Sequence, residues 1–390
     1  MSGDYRDYSD INSDEYCDGF GYTSRRRTSQ RSGGYDLSTF DDSHSDEVQI
    51  YPEHRAKKRR RRKRKRAFKR FVSLLLVVLI VVSVLFGIYV YKILDSVNYA
   101  ELDGVYKEHY ASQTELLSHK DVFNILIFGV DDVADDYGRS DTMLLLSVDN
   151  KNSKLKLTSF QRDTFVYVPD PDGDYHTKLT NAYSYGGVGL AIHTIEANFG
   201  VQIDRYVTVN FETFKSIVDV LGGVQLELTD REILYINCQL AQNNQSGYLD
   251  AQAGTVTLNG QQALWHIRNR GGDVINGVEF FEDTDWDRTQ RQRLFVEAVM
   301  CEVRKGSLFS ALRVSRSVAP YVTTNLSKAE IVSLLLQFPR LMNYKVEQCS
   351  MPSEGNWGYE ENFAGSVIYV YDWETTQQNL GDFIYEFDKD

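Results

Sequence analysis

The sequence predicts an α/β layered domain joined to a single membrane-crossing helix. Three observations carry that prediction. Phe71 to Tyr91 (FVSLLLVVLIVVSVLFGIYVY) is 21 residues without a charge. Immediately before it, residues 55–70 carry 13 Lys+Arg and no acid. From Phe123 onward, short apolar runs alternate with stretches of helical period, the pattern of strands and the helices that cover them.

Composition narrows the class. With 42% hydrophobic and 25% charged residues, the 390-residue chain is neither disordered throughout nor fibrous, and six prolines with 27 glycines exclude a collagen-like or linker-dominated protein. The net charge of -12 averages unlike parts. Residues 1–54 hold 5 Lys+Arg against 12 Asp+Glu, and residues 71–390 hold 25 against 43. A basic knot between two acidic parts is not the pattern of a simple cytosolic enzyme.

Residues 1–54, rich in Ser, Asp, Gly and Tyr with no sustained apolar period, are expected to be a disordered acidic tail. Residues 55–70 form a polybasic juxtamembrane segment. Its position assigns it to topology and to anionic lipid, so no nucleic-acid partner is expected. At 1.5 Å per residue, a helix over 71–91 spans ~30 Å, the thickness of a bilayer's hydrocarbon core. The run starts too far from the N-terminus, and lacks the small-residue exit, for a cleaved signal. Tyr89 and Tyr91 suit an interfacial belt, and the outer flank offers Lys92 against Asp95, Glu101 and Asp103. The expected arrangement is single-pass in the cell membrane, with the N-terminus cytoplasmic and the C-terminal domain extracellular.

Residues 92–120 read as a polar, partly helical extracellular stalk, 121–345 as the main domain and 346–390 as an aromatic-rich extension. Strands are expected at Phe123 to Val130, Thr142 to Val148, Leu155 to Phe160, Arg205 to Asn210 and Val224 to Leu228. The first two are continuous apolar runs, as in strands covered on both faces. Helices are expected at Gly189 to Phe199, Phe211 to Leu221 (with a C-cap at Gly222–Gly223) and Arg288 to Arg304. Loops are expected over 237–255 and 271–285, and a further helix near Lys328 to Leu336. Cys238, Cys301 and Cys349 form at most one bridge, and neither cysteines nor the scattered histidines have metal-site spacing.

Five clusters set charge against apolar strands: Gly129 to Asp132, Gly138 to Thr142, Gln161 to Thr164, Arg268-x-Arg270, and Asp285 to Arg293. In α/β sheets, ligands bind beyond strand ends. Arg268 and Arg270 share one face if extended, and Arg288, Arg291 and Gln292 share a helical face. Guanidinium forks grip phosphate oxygens and stay charged. Separated carboxylates such as Asp131 and Asp141 suit Mg²⁺, which fills its shell with water and phosphate. A Walker A loop, Gly-x-Ser-x-Gly and G-x-G-x-x-G are all absent from the sequence. The chemistry reads as diphosphate handling without a nucleotide loop.

The ordered series GVDD…GRSDTMLLLSVD, SFQRDTFVYVP, KLTNAYSYGG, VNFETFKSIVDVLGGVQLEL, LNGQQALWHIRNR and DTDWDRTQRQR, from about residue 121 to 300, closely resembles the LytR-CpsA-Psr (LCP) family. The resemblance implies a central mixed β-sheet flanked by helices, with a tunnel for a polyprenyl chain. It also implies transfer of a glycopolymer, such as teichoic acid or capsule, from a polyprenyl-pyrophosphate carrier to a peptidoglycan hydroxyl. Asp131 and Asp141 would be the Mg²⁺ carboxylates, with Mn²⁺ as a substitute ion. Arg139, Arg162, Arg268 and Arg270 would hold the pyrophosphate, with Asp285, Arg288 and Gln292 completing the polar rim. The general base stays open among Asp131, Asp141 and Asp163.

Three departures stand out. The family usually has Pro where Gln161 stands, which is expected to loosen the turn without removing the arginine. Trp265 replaces the family's frequent Tyr, and the 270–285 segment is long. The aromatics Trp357, Tyr359, Phe363, Tyr369, Tyr371 and Trp373 are read either as a packed accessory layer or as a sugar-binding face. Two other functions would use the same residues: hydrolysis of the carrier-linked sugar, and a non-enzymatic sensor of wall precursors. The tail leaves room for wall-synthesis proteins as partners.

Overall fold

In the computed structural model, residues 76–102, 116–130, 138–269, 273–275, 277–280, 285–305 and 308–386 are described, except for the side chains of 273, 285 and 308–311. The expected tail, the basic run, residues 71–75, Asp131 and Arg270 lie outside them. The chain divides into two units, Met1–Tyr91 and Lys92–Asp390. Of the expected span, Leu76 onward is a helix, α1 (Leu76–Asp95), long and apolar enough to cross a membrane.

The second unit is built on a mixed seven-stranded sheet in the order β1 (Asn98–Tyr99), β12 (Thr323–Thr324), β7 (Arg205–Val209), β2 (Val122–Val130), β3 (Ser140–Asp149), β4 (Lys154–Phe160) and β13 (Lys345–Met351). β5 (Phe165–Val168) pairs with β6 (Tyr175–Lys178) as a separate hairpin. The middle of the large sheet consists of β2, β3 and β4, joined antiparallel. β7 lies parallel to β2, and β13 parallel to β4. β1 and β12 close the far edge. The sheet therefore draws its outer strands from the expected stalk and from both sides of residue 345.

Strand alternation assigns the two faces. Leu126 and Phe128 on β2 share a face with Met143 and Leu145 on β3. All four lie in a core with Leu190, Ile195 and Phe199 of α2 (Leu179–Phe199), and with Leu380 and Ile384 of α9 (Trp373–Tyr385). Leu146 and Val148 face the other way, toward Leu341 and Tyr344. Both faces are covered, which is why these strands lack an apolar–polar alternation. Fully burying one such Leu or Phe contributes ~1.5–3 kcal/mol.

α2 begins ten residues before the expected helix, because Gly186 and Gly187 leave helical geometry and join two helical stretches across a kink. Gly187, at φ 62°, sits where a side chain would be strained. α3 (Phe211–Leu221) ends at Gly222 in the left-handed region, as its sequence foretells.

The expected loop 237–255 is shorter than its polarity suggests. α4 (Asp230–Gln242) runs into it, started by a Thr229–Glu232 capping box and held by Ile233, Ile236 and Leu240. A second core gathers these with Val224, Leu226 and Leu228 of β8 (Val224–Leu228), Leu258 of β9 (Gly254–Leu258), and Ala263 of α5 (Gly260–Arg268). The 271–285 segment holds a short hairpin, β10 (Asp273–Ile275) and β11 (Val278–Phe280), anchored by Phe280 edge-on to Tyr235. α6 (Asp285–Lys305) places Phe295 in the second core and Met300 beside the cluster of Val148, Leu341 and Tyr344. α7 (Leu308–Val318) follows. α8 (Lys328–Leu341) runs five residues past its expected end. Among the described residues no disulfide joins Cys238, Cys301 and Cys349, so none of the allowed bridges forms.

Candidate active site at the sheet end

Strand direction brings the charged clusters together. β2 ends where antiparallel β3 begins, with Val130 opposite Ser140. β3 begins where β4 ends, with Met143 opposite Phe160, and β13 ends there too, with Met351 opposite Phe160. The same end of β7 leads into Asn210, the N-cap of α3. Four loops thus leave one end of the sheet, the placement that ligand sites in α/β folds favour.

Arg162 is the hub. Its Nη1 donates to Asp141 Oδ1 at 2.5 Å, and its Nε lies 3.5 Å from Asp163 Oδ2. Lys178 Nζ lies 3.3 Å from Asp163 Oδ1. Two carboxylates and two cations nearly cancel here. Arg139 and Arg268, both exposed, add positive charge at the same end. Arg268 stacks over Phe211 at 4.5 Å and over Trp265 at 5.5 Å. It is the last residue of α5, at the helix's electronegative end, so the extended backbone that would set it on one face with Arg270 is not present at Arg268.

The backbone of the Arg162 turn is fixed from three sides. The N–H groups of Leu179 and Thr180 donate to the carbonyls of Thr164 and Arg162, each at 2.9 Å. Thr180 Oγ1 donates to Ser140 O at 3.0 Å, tying the β3 entrance to the same helix start. Gln161, fully buried, donates through its backbone N–H to Met351 O at 3.0 Å. Its Nε2 donates to Thr289 Oγ1 at 2.9 Å and to Ser350 Oγ at 3.2 Å. The expected loosening at this position is therefore not what the structure shows: the amide ties the turn to α6 and β13. Lys178, Thr180 and Thr289 were not among the expected site residues, although the first two sit in the KLTNA run.

Gln161→Pro is expected to destabilise the fold by about 2 kcal/mol, the net worth of three lost hydrogen bonds less the relief of a buried amide oxygen. That oxygen, Oε1, has no partner among the described residues. A denaturation midpoint unchanged from wild type would refute this.

On α6, Arg288, Arg291 and Gln292 share the inward face as their spacing predicts, at 3, 7 and 9% exposure. Arg291 Nη2 donates to Asn269 O at 2.6 Å, holding the backbone next to Arg270. His266 lies beneath, 3.8 Å from Glu232, and burial, with Arg291 nearby, pushes its imidazole down to about 3. It is neutral at physiological pH and serves packing. Asp285 opens α6.

For a divalent ion, the donor chemistry is of the right kind: hard carboxylate oxygen at the sheet end, with Asp141 37% exposed. Among the described residues no three His, Cys, Asp or Glu side chains converge on one point. That is compatible with Mg²⁺, which needs only one or two carboxylates.

The family's sequence model matches residues 88–382, three-quarters of the chain and all of the sheet. The chain belongs to the LytR_cpsA_psr family. A relative from Bacillus mycoides, named polyisoprenyl-teichoic acid–peptidoglycan teichoic acid transferase TagU, is 28% identical over 304 residues, covering 75% of this chain and 90% of that one. The protein of the same name from Oceanobacillus iheyensis is 32% identical over 256 residues, covering 63% and 73%. Among solved structures, TagT bound to LIIa-WTA superposes with a TM-score of 0.54 at 25% identity, covering 70% of this chain and 93% of TagT. Family membership and the mixed sheet flanked by helices were both expected from the motif series.

Proposed function

We propose that the chain is a membrane-anchored phosphotransferase. It moves a glycopolymer from a polyprenyl-pyrophosphate carrier to a peptidoglycan hydroxyl. The observation that carries this reading is the convergence of Asp141, Arg162 and Asp163 at one sheet end, with α6 tied to the same turn through Gln161 and Thr289. Relatives named for that transfer share most of the domain. α1 anchors the chain beside a lipid substrate that never leaves the bilayer, with the N-terminus cytoplasmic and the sheet domain outside.

In this reading Arg139, Arg162, Arg268 and Arg270 grip the pyrophosphate, and Arg288 and Gln292 close the rim with Asp285. The acceptor hydroxyl oxygen attacks the sugar-side phosphorus. The bond from that phosphorus to the bridging oxygen breaks, and polyprenyl phosphate departs with the electron pair. The hydroxyl proton passes to one of Asp131, Asp141 and Asp163. Asp131 and Asp141 would hold Mg²⁺, with Mn²⁺ as a substitute, whose role is to neutralise charge on the phosphate oxygens. Positioning and charge neutralisation do the rest, since phosphoryl transfer asks little covalent chemistry of the protein.

The test uses the full-length protein in detergent with a short polyprenyl-pyrophosphoryl sugar and peptidoglycan oligomers, read by mass. A sugar-phosphate adduct on the oligomer, lost with EDTA and restored by added Mg²⁺, is the expected result. Free sugar phosphate instead would make the protein a hydrolase, and tightly bound intact donor would make it a sensor.

A further inference from the structure

α6 opens with an aromatic residue that the transfer chemistry does not use. The Trp286 indole stacks on Trp357 of β14 (Trp357–Asn362), with 4.5 Å between ring centroids and 20° between planes. Trp357 in turn meets Tyr359 edge-on at 5.3 Å. Alternation puts Trp357 and Tyr359 on the same face of β14, and Tyr359 is 58% exposed.

This row is continuous with the charged site at both ends. Trp286 lies two residues before Arg288 and three before Thr289, which accepts the Gln161 hydrogen bond. Tyr359 lies opposite Ile368 of β15 (Gly365–Val370), and Ile368 N–H donates to Asp163 O at 2.9 Å. Two strand spacings, about 10 Å, therefore separate Tyr359 from the Asp163 backbone.

Charge selects the occupant. Residues 346–386 contain no Lys or Arg, whereas Glu354, Glu360 and Glu361, on or beside the hairpin, are exposed. An acidic border repels a polyphosphate chain such as an anionic donor polymer. Aromatic faces carry negative quadrupole charge and attract the weakly positive C–H faces of a pyranose ring. A glycan strand without phosphates meets both conditions.

We propose that Trp286, Trp357 and Tyr359 form a subsite for the sugar rings of the acceptor, a β-1,4-linked N-acetylhexosamine strand. The subsite orients the strand so that a hydroxyl reaches the phosphate held by Arg162. The assignment of the strand as acceptor rests on the transferase reading, but recognition of the sugar can be measured without any transfer.

The test titrates the full-length protein in detergent with a tetramer of β-1,4-linked N-acetylglucosamine. Tryptophan fluorescence and saturation-transfer NMR report binding. Wild type is expected to bind, with affinity at least fivefold weaker in Tyr359→Ala and in Trp357→Ala. The exposed Tyr359 ring can be removed without opening the core, so loss in that variant cannot be assigned to unfolding. Arg162→Ala is expected to bind the tetramer as wild type does. In the transfer assay Tyr359→Ala is expected to raise KM for the acceptor fivefold or more, with little change in kcat. Absence of tetramer binding by wild type, or wild-type affinity in both aromatic variants, would overturn the subsite. So would stronger competition from a phosphoglycan than from the neutral tetramer. Normal tetramer binding alongside undiminished transfer by Arg162→Ala would leave the subsite standing and remove the transferase site.

Discussion

Arg162→Ala is expected to lower glycopolymer transfer by about a thousandfold, the scale on which removal of one preorganised charge-stabilising donor acts. Arg162 is the residue to which the strand ends converge, and its guanidinium is aimed by two carboxylates, Asp141 and Asp163. The fold is expected to survive. The carboxylates left behind are 37 and 26% exposed, so water can solvate them and the penalty of an abandoned buried charge does not arise. Arg162→Lys should recover little, because an ammonium cannot bridge Asp141 and a phosphate with the planar fork. Rates from the mass-read assay, with circular dichroism as the fold control, decide the matter. A folded Arg162→Ala enzyme within tenfold of wild type would refute the assigned role.

The largest effect on stability is expected from a residue with no part in the chemistry. Lys156 Nζ, fully buried on β4, lies 3.1 Å from Asp149 Oδ2 and 2.9 Å from both the Ile384 carbonyl and Glu386 Oε1. Burial works against charge on Asp149, but hydrogen bonds from Asn152 and Lys156 outweigh it and hold the carboxyl below its usual range. Lys156→Ala strands that carboxylate in the core and should cost about 3–5 kcal/mol. Glu386→Gln should cost about 1 kcal/mol or less, because its carboxylate is one-third exposed. Chemical denaturation of the two variants checks the contrast, and equal midpoints would contradict it.

Lys156 also illustrates where the sequence was legible and where it was not. β2 and β3 announce themselves as continuous apolar runs, and Gly222 and the inward face of α6 follow from local rules. In LKLTSF, by contrast, the lysine reads as a solvent-facing position. Only a partner on the next strand, Asp149, and an acid 230 residues downstream make its burial tolerable. β13, with the sequence KVEQCSM, carries too little apolar pattern to read as a strand, yet it pairs with β4 along its whole length. Of the site, the residue types and their strand-end positions were legible, because charge against an apolar run is a local signal. The convergence of the loops was not, since it depends on strand order and direction. The support from Gln161 to Thr289 and Ser350 depends on contacts 128 and 189 residues apart.

Those separations also set the order of events during synthesis. The turn bearing Arg162 reaches its final hydrogen bonds only when Ser350 and Met351 have been made and β13 has docked. Contacts so distant along the chain form late, because loop closure must come first. A nascent chain stopped before residue 350 would carry every charged residue assigned to the reaction and still lack the scaffold that aims them. The Arg162 turn thus gains its full support only after residue 351 has been made, long after α1.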